Sequence, residues 1–378
     1  MTTMTSAPPV SHCTHEETSA AFGDPPSPRV GVIGGVDTHR DQHVAAALDS
    51  LGRLLGIEYF DADTSGHRAL LAWLESFGPV LMIGIEGTGA YGLGLARHLA
   101  TATTADLIEV DRPDRRTRRL KGKSDPVDAE AAARAAWSGA HTGTPKARDG
   151  RIEALRNLRV ARRSAVQQRA DVVRQIKALI VTAEDDLRHR LRHLDTPTLV
   201  RTCAALRPDP AHIAEPLHAT KAALRSLARR HRHLSEEITD LEALIHPLVE
   251  QINPALMAIN GIGHDCAGQL LVTAGANPER IHTEAAFAML VGTAPVPASS
   301  GQTHRTRLNR GGDRQANAAI HRVLLSRMRW HKPTKTYLAR RVNQRDLSKR
   351  EAARILKRYI TREIYPALIN PHHGLDHP

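Results

Sequence analysis

The order of short apolar runs between residues 31 and 110 limits the fold more than any other feature of this chain. "GVIGGVDTH" (31–39) reads as a buried strand with glycines that ends at an acid. "HVAAALDS" follows, then a polar turn with glycine, then "RLLGIEYFDA". Three strands joined by short turns predict an antiparallel meander. "SGHRALLAWLESFG" has helical spacing and stops at Gly78. "PVLMIGIEG" reads as another buried strand, "AYGLGLARHLA" as a helix and "ADLIEVD" as a strand. The order βββαβαβ, with a helix after it, implies a mixed α/β sheet with helices packed on it. In such a sheet the first and fourth strands can lie side by side.

The texture changes near residue 151. "RIEALRNLRVARRSAVQQRADVVRQIKALI" and "ATKAALRSLARRHRHLSEEITDLEALIHPLVEQI" are long amphipathic segments. In the second, Leu224, Leu227, Leu234, Ile238, Leu241, Leu244, Ile245 and Leu248 recur at steps of three and four, which predicts an antiparallel helical hairpin or coiled-coil arm. A mainly helical unit begins near 253 and continues to about 365. The expected division is a disordered leader (1–28), a metal domain (29–145), a coiled-coil arm (146–250), a C-terminal domain (251–365) and a loose tail (366–378). The leader lacks the basic and apolar regions of a signal peptide. No apolar run approaches ~18 residues, so no membrane partner is expected. Three scattered cysteines without a CxxC pair fit a reducing cytoplasm.

Charge is distributed unevenly. The chain carries a net +12, but residues 112–163 hold 15 Lys/Arg against 6 Asp/Glu, and residues 301–363 hold 18 against 4. Two basic blocks of this density are an electrostatic footprint for nucleic acid. The first includes Arg115, Arg116, Arg118, Arg119, Lys121 and Lys123. Aromatic residues make up only 3%, so base stacking on aromatic platforms is not the leading mode. Trp73, Trp137 and Trp330 read as core residues.

Acids interrupt the first basic block. In "KGKSDPVDAEAAARAA" (121–136), Asp125 suits an N-cap, Pro126 the first helical position and Asp128 the capping-box acid. Residues three apart also share a helix face, so both carboxylates can point at one cation. Asp37 ends the first strand, and Glu86 closes a buried one, where a charge is costly unless paired or bound to metal. Four carboxylates are hard ligands suited to Mg²⁺ or Mn²⁺. Two such ions clamp the attacking and leaving oxygens of a phosphodiester. His39 and His43 read as structural or solvent-facing.

"GVDTHRDQHVAAALD", "IGIEGTGAYG", "KSDPVDAEAAARA", "AINGIG" and "GTAPVPASSGQTHRTRLNRGGDRQANAAIHRVL" resemble the insertion-sequence transposases of the IS110 family, the DEDD transposases. The resemblance covers roughly residues 30–330. It implies a RuvC-like, RNase H-fold domain whose metal-binding catalytic acids are Asp37, Glu86, Asp125 and Asp128.

The loop "PVPASSGQTHRTRLNRGGDRQ" carries Arg305, Arg307, Arg310 and Arg314 beside two serines. By composition it is either a polar phosphate-binding loop or the seat of a serine nucleophile, which arginines would assist by stabilising phosphoryl charge. The resemblance favours the nucleophile. It implies a covalent phosphoserine-DNA intermediate at Ser300, the serine before Gly301, with Ser299 as fallback. It further implies transposition of element-end and target DNA guided by an RNA encoded beside the gene (a bridge RNA). Because the acids and the serine lie in separate domains, a homo-oligomer, dimer or tetramer, joined through the coiled-coil arm is expected, acting in the bacterial cytoplasm at the nucleoid. The alternative is a RuvC-like Holliday-junction endonuclease that uses metal-activated water. "INGIGHDCAG" (259–268) reads as a helix-hairpin-helix offering backbone N–H groups to phosphate, or as a plain tight connection.

Overall fold

The computed structural model describes residues 30–110, 124–139, 142–298, 306–309, 311–344 and 348–373. The leader, the basic run from Arg115 to Lys123, Ser299, Ser300, Gly301, Arg305 and Arg310 lie outside the described residues. The described residues fall into two compact units: those up to Gly87 with those between Gly94 and Thr142, and Thr88–Leu93 with those from Gly143 onward.

The first unit follows the order expected from its apolar runs. β1 (Val32–Asp37), β2 (Gln42–Leu48) and β3 (Leu54–Asp61) precede α1 (Thr64–Glu75), β4 (Val80–Glu86), α2 (Leu93–Ala102), β5 (Asp106–Val110) and α3 (Asp125–Ser138). With the two-residue β6 (Thr142–Gly143), the strand order is β3-β2-β1-β4-β5-β6. The first three strands form the antiparallel meander, while β1 pairs with β4 and β4 with β5 in parallel. This mixed sheet with flanking helices is an RNase H-like fold. Strands one and four are neighbours, an arrangement that the pattern of apolar runs allowed.

Each sheet face is covered. On one face Val36, Ala45, Ile83 and Ile85 pack with Leu70 and Leu74 of α1 and with Leu95 and Leu99 of α2. On the other, Ile33, Leu48, Val44 and Ala46 meet Ala129, Ala133 and Ala136 of α3. Burial on both sides explains why β1 and β2 read as continuous apolar runs rather than alternating ones.

Helix α3 rests directly on two glycines. A Cβ on Gly35 would lie 2.1 Å from Ala133 N and 2.4 Å from Ala129 O, and one on Gly84 would lie 2.5 Å from Ala132 O. Any side chain at these positions would lift the helix off the sheet. Alanines on the opposing helix face complete the close fit, and alanine is also the strongest helix former.

His43 is fully buried, contrary to a solvent-facing reading, because it shares the inward face of β2 with Ala45 and Ala47. Its ring stacks on His67 of α1, with centroids 5.5 Å apart, and His67 lies 5.9 Å from His98 of α2. Neither nitrogen of His43 has a hydrogen-bond partner among the described residues. Burial, with His67 and His39 nearby, pushes the His43 imidazole down to about 4.

The second unit carries two hydrophobic clusters. Helices α4 (Gly150–Val181) and α7 (Pro216–Ile252) are 32 and 37 residues long, or roughly 48 and 55 Å at 1.5 Å per residue. Val172, Ile176 and Ile180 of α4 meet Leu224, Leu234 and Ile238 of α7, and α5 (Asp185–Leu191) and α6 (Thr196–Ala204) close that cluster. Leu244 is exposed, whereas the spacing placed it in the seam. Its neighbour Ile245 is buried, and adjacent residues project about 100° apart on a helix, so Val249 continues the row instead.

The second cluster joins Leu155 of α4 and Ile245 and Val249 of α7 to the C-terminal helices. These are α8 (Pro254–Ala258), α9 (His264–Ala274), α10 (Glu284–Leu290), α11 (Arg314–Trp330), α12 (Lys332–Gln344) and α13 (Lys349–Ile369). Gly261, at φ 82°, makes the turn between α8 and α9. The serine- and arginine-bearing loop that starts at Pro295 carries a small hairpin, β7 (Pro295–Pro297) paired with β8 (Thr306–Leu308). A capping box between Ser348 and Glu351 starts α13, which continues to Ile369 rather than stopping near 365.

Of the tryptophans, Trp73 packs against the core, but Trp137 and Trp330 are 47% and 74% exposed, so neither is the core residue expected. Trp330 instead lies 4.9 Å from the Arg329 guanidinium. No helix among the described residues is long and apolar enough to cross a membrane.

Two measurements test this packing. Gly35→Ala is expected to destabilise the first unit by about 1–3 kcal/mol or more through overpacking, read by urea unfolding through tryptophan fluorescence. The second concerns His43, whose folded value lies below the ordinary 6.5. Its neutral form stabilises the fold above about pH 6.5, and that contribution is lost as pH falls through 6.5 toward 4. His43→Phe should flatten the acid side of the stability profile in this window.

Candidate functional site

Strand β1 ends at Asp37 and strand β4 at Glu86. Because the strands are parallel and Val36 pairs with Ile85, both acids emerge at the same sheet edge. Thr38 ties these ends together by donating its hydroxyl to the Glu86 carbonyl at 2.8 Å. Side chains alternate along a strand, so Asp37 shares a face with Gly35, and Glu86 with Gly84. That is the face on which α3 lies, and the first turn of α3 brings Asp125 and Asp128 to the same edge.

The helix start differs from the expected capping arrangement. Ser124, in extended conformation, is the N-cap residue, and Asp125 is already helical with Pro126 in the first turn. Asp125 therefore does not cap. It reaches His39 instead, with Oδ1 3.4 Å from His39 Nε2, and the same nitrogen lies 3.2 Å from Asp37 Oδ2. Asp37, His39 and Asp125 offer ligand atoms that all lie within 4.8 Å of one another. Asp128 is 2% exposed and Asp37 7%, whereas Glu86 is half-buried. Glu86 and Asp128 are not among the three residues of this cluster.

Electrostatically the site is crowded with like charge. Burial raises the Asp37 carboxyl above its ordinary value; Asp128 and Asp125 push the same way, against the opposing pull of His39. Carboxylate oxygens at this separation, two of them held by one imidazole, form a hard donor set that a divalent cation takes. The negative charge crowded around Asp37 is the kind that such an ion relieves. The residues present therefore fit a divalent metal.

His39, read as structural or solvent-facing, is exposed, and it also bridges two of the acids. It sits just past a strand end, where sequence alone does not show which way a side chain turns. A clearer signal was available in the glycines. "Gly-Val-Asp" (35–37) and "Gly-Ile-Glu" (84–86) repeat one pattern on two strands, a bare position followed two residues later by an acid on the same face. Of the basic residues proposed for nucleic acid, Arg307 on β8 and Arg314 at the start of α11 are exposed. The remaining ones, and both serines, lie outside the described residues.

Two stretches of the chain match models of known families. Residues 34–183 match a family model for DEDD transposases of the IS110 type, described as "Transposase". Residues 253–339 match a second, described as "Transposase IS116/IS110/IS902 family". Together these stretches cover more than half of the chain. A search of curated proteins found no match.

Asp37→Asn removes one charge from the crowded cluster. It is expected to raise the melting temperature by a few degrees in metal-free buffer, roughly what 1 kcal/mol gives a domain of this size. The same variant should lose the thermal shift that Mg²⁺ or Mn²⁺ gives the unaltered chain.

Proposed function

Since the chain belongs to the IS110 family of transposases, and its substrate is therefore DNA, we propose that Asp37, Glu86, Asp125 and Asp128 form its catalytic acid set and that Ser300 is its nucleophile. Family membership makes this chain a DNA transposase of an insertion sequence and implies a divalent metal. The proposal adds which residues act, and that the ion is Mg²⁺ or Mn²⁺. The observation that carries it is the convergence of Asp37 and Asp125 with His39 at one sheet edge, with Asp128 close enough to raise Asp37.

In this reading the carboxylates would hold the ion, and Thr38 keeps the two strand ends in register. The bound ion supplies Lewis acidity to the phosphate to be cut. His39 orients the Asp37 and Asp125 carboxylates through its shared nitrogen. Ser300 Oγ forms a bond to phosphorus, the bond from phosphorus to the leaving strand oxygen breaks, and that oxygen takes a proton. The covalent link conserves the phosphodiester bond energy, so a second strand can reverse the step and rejoin the DNA without an external energy source. Arg305, Arg307, Arg310 and Arg314 stabilise charge on the phosphoryl oxygens. Arg115, Arg116, Arg118, Arg119, Lys121 and Lys123 hold the flanking backbone.

The same reading includes a guide RNA encoded by the element and a homo-oligomer that assembles on DNA. The dense basic blocks and the scarcity of aromatic residues are compatible with a protein that reads backbone and shape while base pairing reads sequence.

The test is to incubate the chain with element-end DNA, Mg²⁺ and the adjacent RNA, then denature. A protein-DNA adduct that disappears in Ser300→Ala, and is lost in Asp37→Asn, is the expected result. Cleavage without an adduct, undiminished in Ser300→Ala, would mean water is the nucleophile and would reject the serine assignment.

A further inference from the structure

One carboxylate in the second unit gathers three guanidinium groups from two helices. Asp265, in the first turn of α9, accepts from Arg159 Nη1 at 3.1 Å and Arg162 Nη1 at 3.0 Å, both on α4. It also pairs with Arg322 Nη2 of α11 at 2.8 Å. Gly268 leaves the room for this arrangement, since a Cβ there would sit 3.0 Å from Arg159 Nη1. These groups line a cleft of about 460 Å³ whose walls also carry Arg148, Arg156 and Arg163.

The charges in the cleft do not balance. Its lining holds six arginines and two carboxylates, Asp265 and Asp313. Glu153 and Glu242 pair with Arg156 and Arg162 from outside the lining. On the lining itself arginines outnumber carboxylates by four, and these two outside acids offset part of that excess. Arg163 makes no hydrogen bond or ion pair among the described residues, and Arg322 is half exposed. Burial, reinforced by Arg162 and Arg322, holds the Arg159 guanidinium below the usual arginine value against the pull of Asp265. An anion entering the cleft would relieve this repulsion. No aromatic side chain lines it, so nothing there offers a base a stacking surface.

We propose that this cleft binds the phosphodiester backbone of a nucleic-acid strand, with Arg163 and Arg322 gripping phosphate and Asp265 holding the guanidiniums in place. The fork of N–H donors on arginine matches phosphate geometry, and a carboxylate behind it pre-orients that fork. Contacts of this kind position a duplex or a single strand without reading its sequence. The choice of nucleic acid as the partner rests on the proposed function. The cleft itself rests on its own geometry and does not depend on the acid cluster.

The competing account is an ion-pair network that only fastens α4, α9 and α11 together. Fluorescence anisotropy with the full chain in EDTA separates the two, using a short random-sequence DNA duplex and a single-stranded RNA as probes over a series of NaCl concentrations. Arg163→Gln, which breaks no hydrogen bond or ion pair among the described residues, should weaken binding and make the plot of log affinity against log salt shallower by about one unit. Arg163→Gln with Arg322→Gln should lower the slope by about two, since each lost phosphate contact is worth roughly 0.9 on duplex DNA and 0.7 on a single strand. A change on one probe alone assigns the cleft to that nucleic acid. Unchanged slopes on both probes would overturn the proposal, and a fall in melting temperature with no change in slope would show a fastening role only. Because the assay contains no divalent metal, failure of the acid-cluster reading leaves its outcome untouched.

Discussion

The whole acid site depends on a helix that touches a sheet with no side chain between them. Gly35 and Gly84 leave bare backbone on adjacent parallel strands, and α3 answers with alanines. An ordinary side chain at either glycine would push the helix away and carry Asp125 and Asp128 out of reach of Asp37. The two strand acids lie two residues beyond those glycines, on the same face. One packing contact therefore sets the positions of all four carboxylates, which come from three stretches far apart in the chain.

The arrangement puts charges where folding alone would not place them. Asp37 is buried beside two other aspartates, which disfavours its ionised form. Local conflict of this kind is expected where a structure serves chemistry rather than stability. On the opposite face, His43 and His67 sit in an apolar layer as a neutral stacked pair. Both faces of one sheet thus carry ionisable groups away from their ordinary protonation equilibria, for opposite reasons. On one side like charge is crowded together, and on the other charge is excluded.

Much of this was legible in the chain itself. The strand order and the adjacency of β1 and β4 follow from short apolar runs, turn residues and the limits on joining them. Positions that depend on direction rather than composition were not. Asp125 falls one residue inside the helix start, and a shift of that size turns a capping group into one that reaches His39. The paired Gly-x-acid pattern was visible but gains meaning only when a helix is known to lie across it. Leu244 and Ile245 are both apolar, and only the packed helix shows that Ile245 turns inward. The arginines around Asp265 were counted in two separate basic blocks, and their grouping depends on α9 and α11, about a hundred residues or more from α4.

The arm has a mechanical consequence. α4 and α7 each run unbroken from one hydrophobic cluster into the other. Sliding one helix along its partner would have to unseat both clusters at once. The pair therefore behaves as a strut of fixed length, keeping the helices at its far tip at a set span from the C-terminal core.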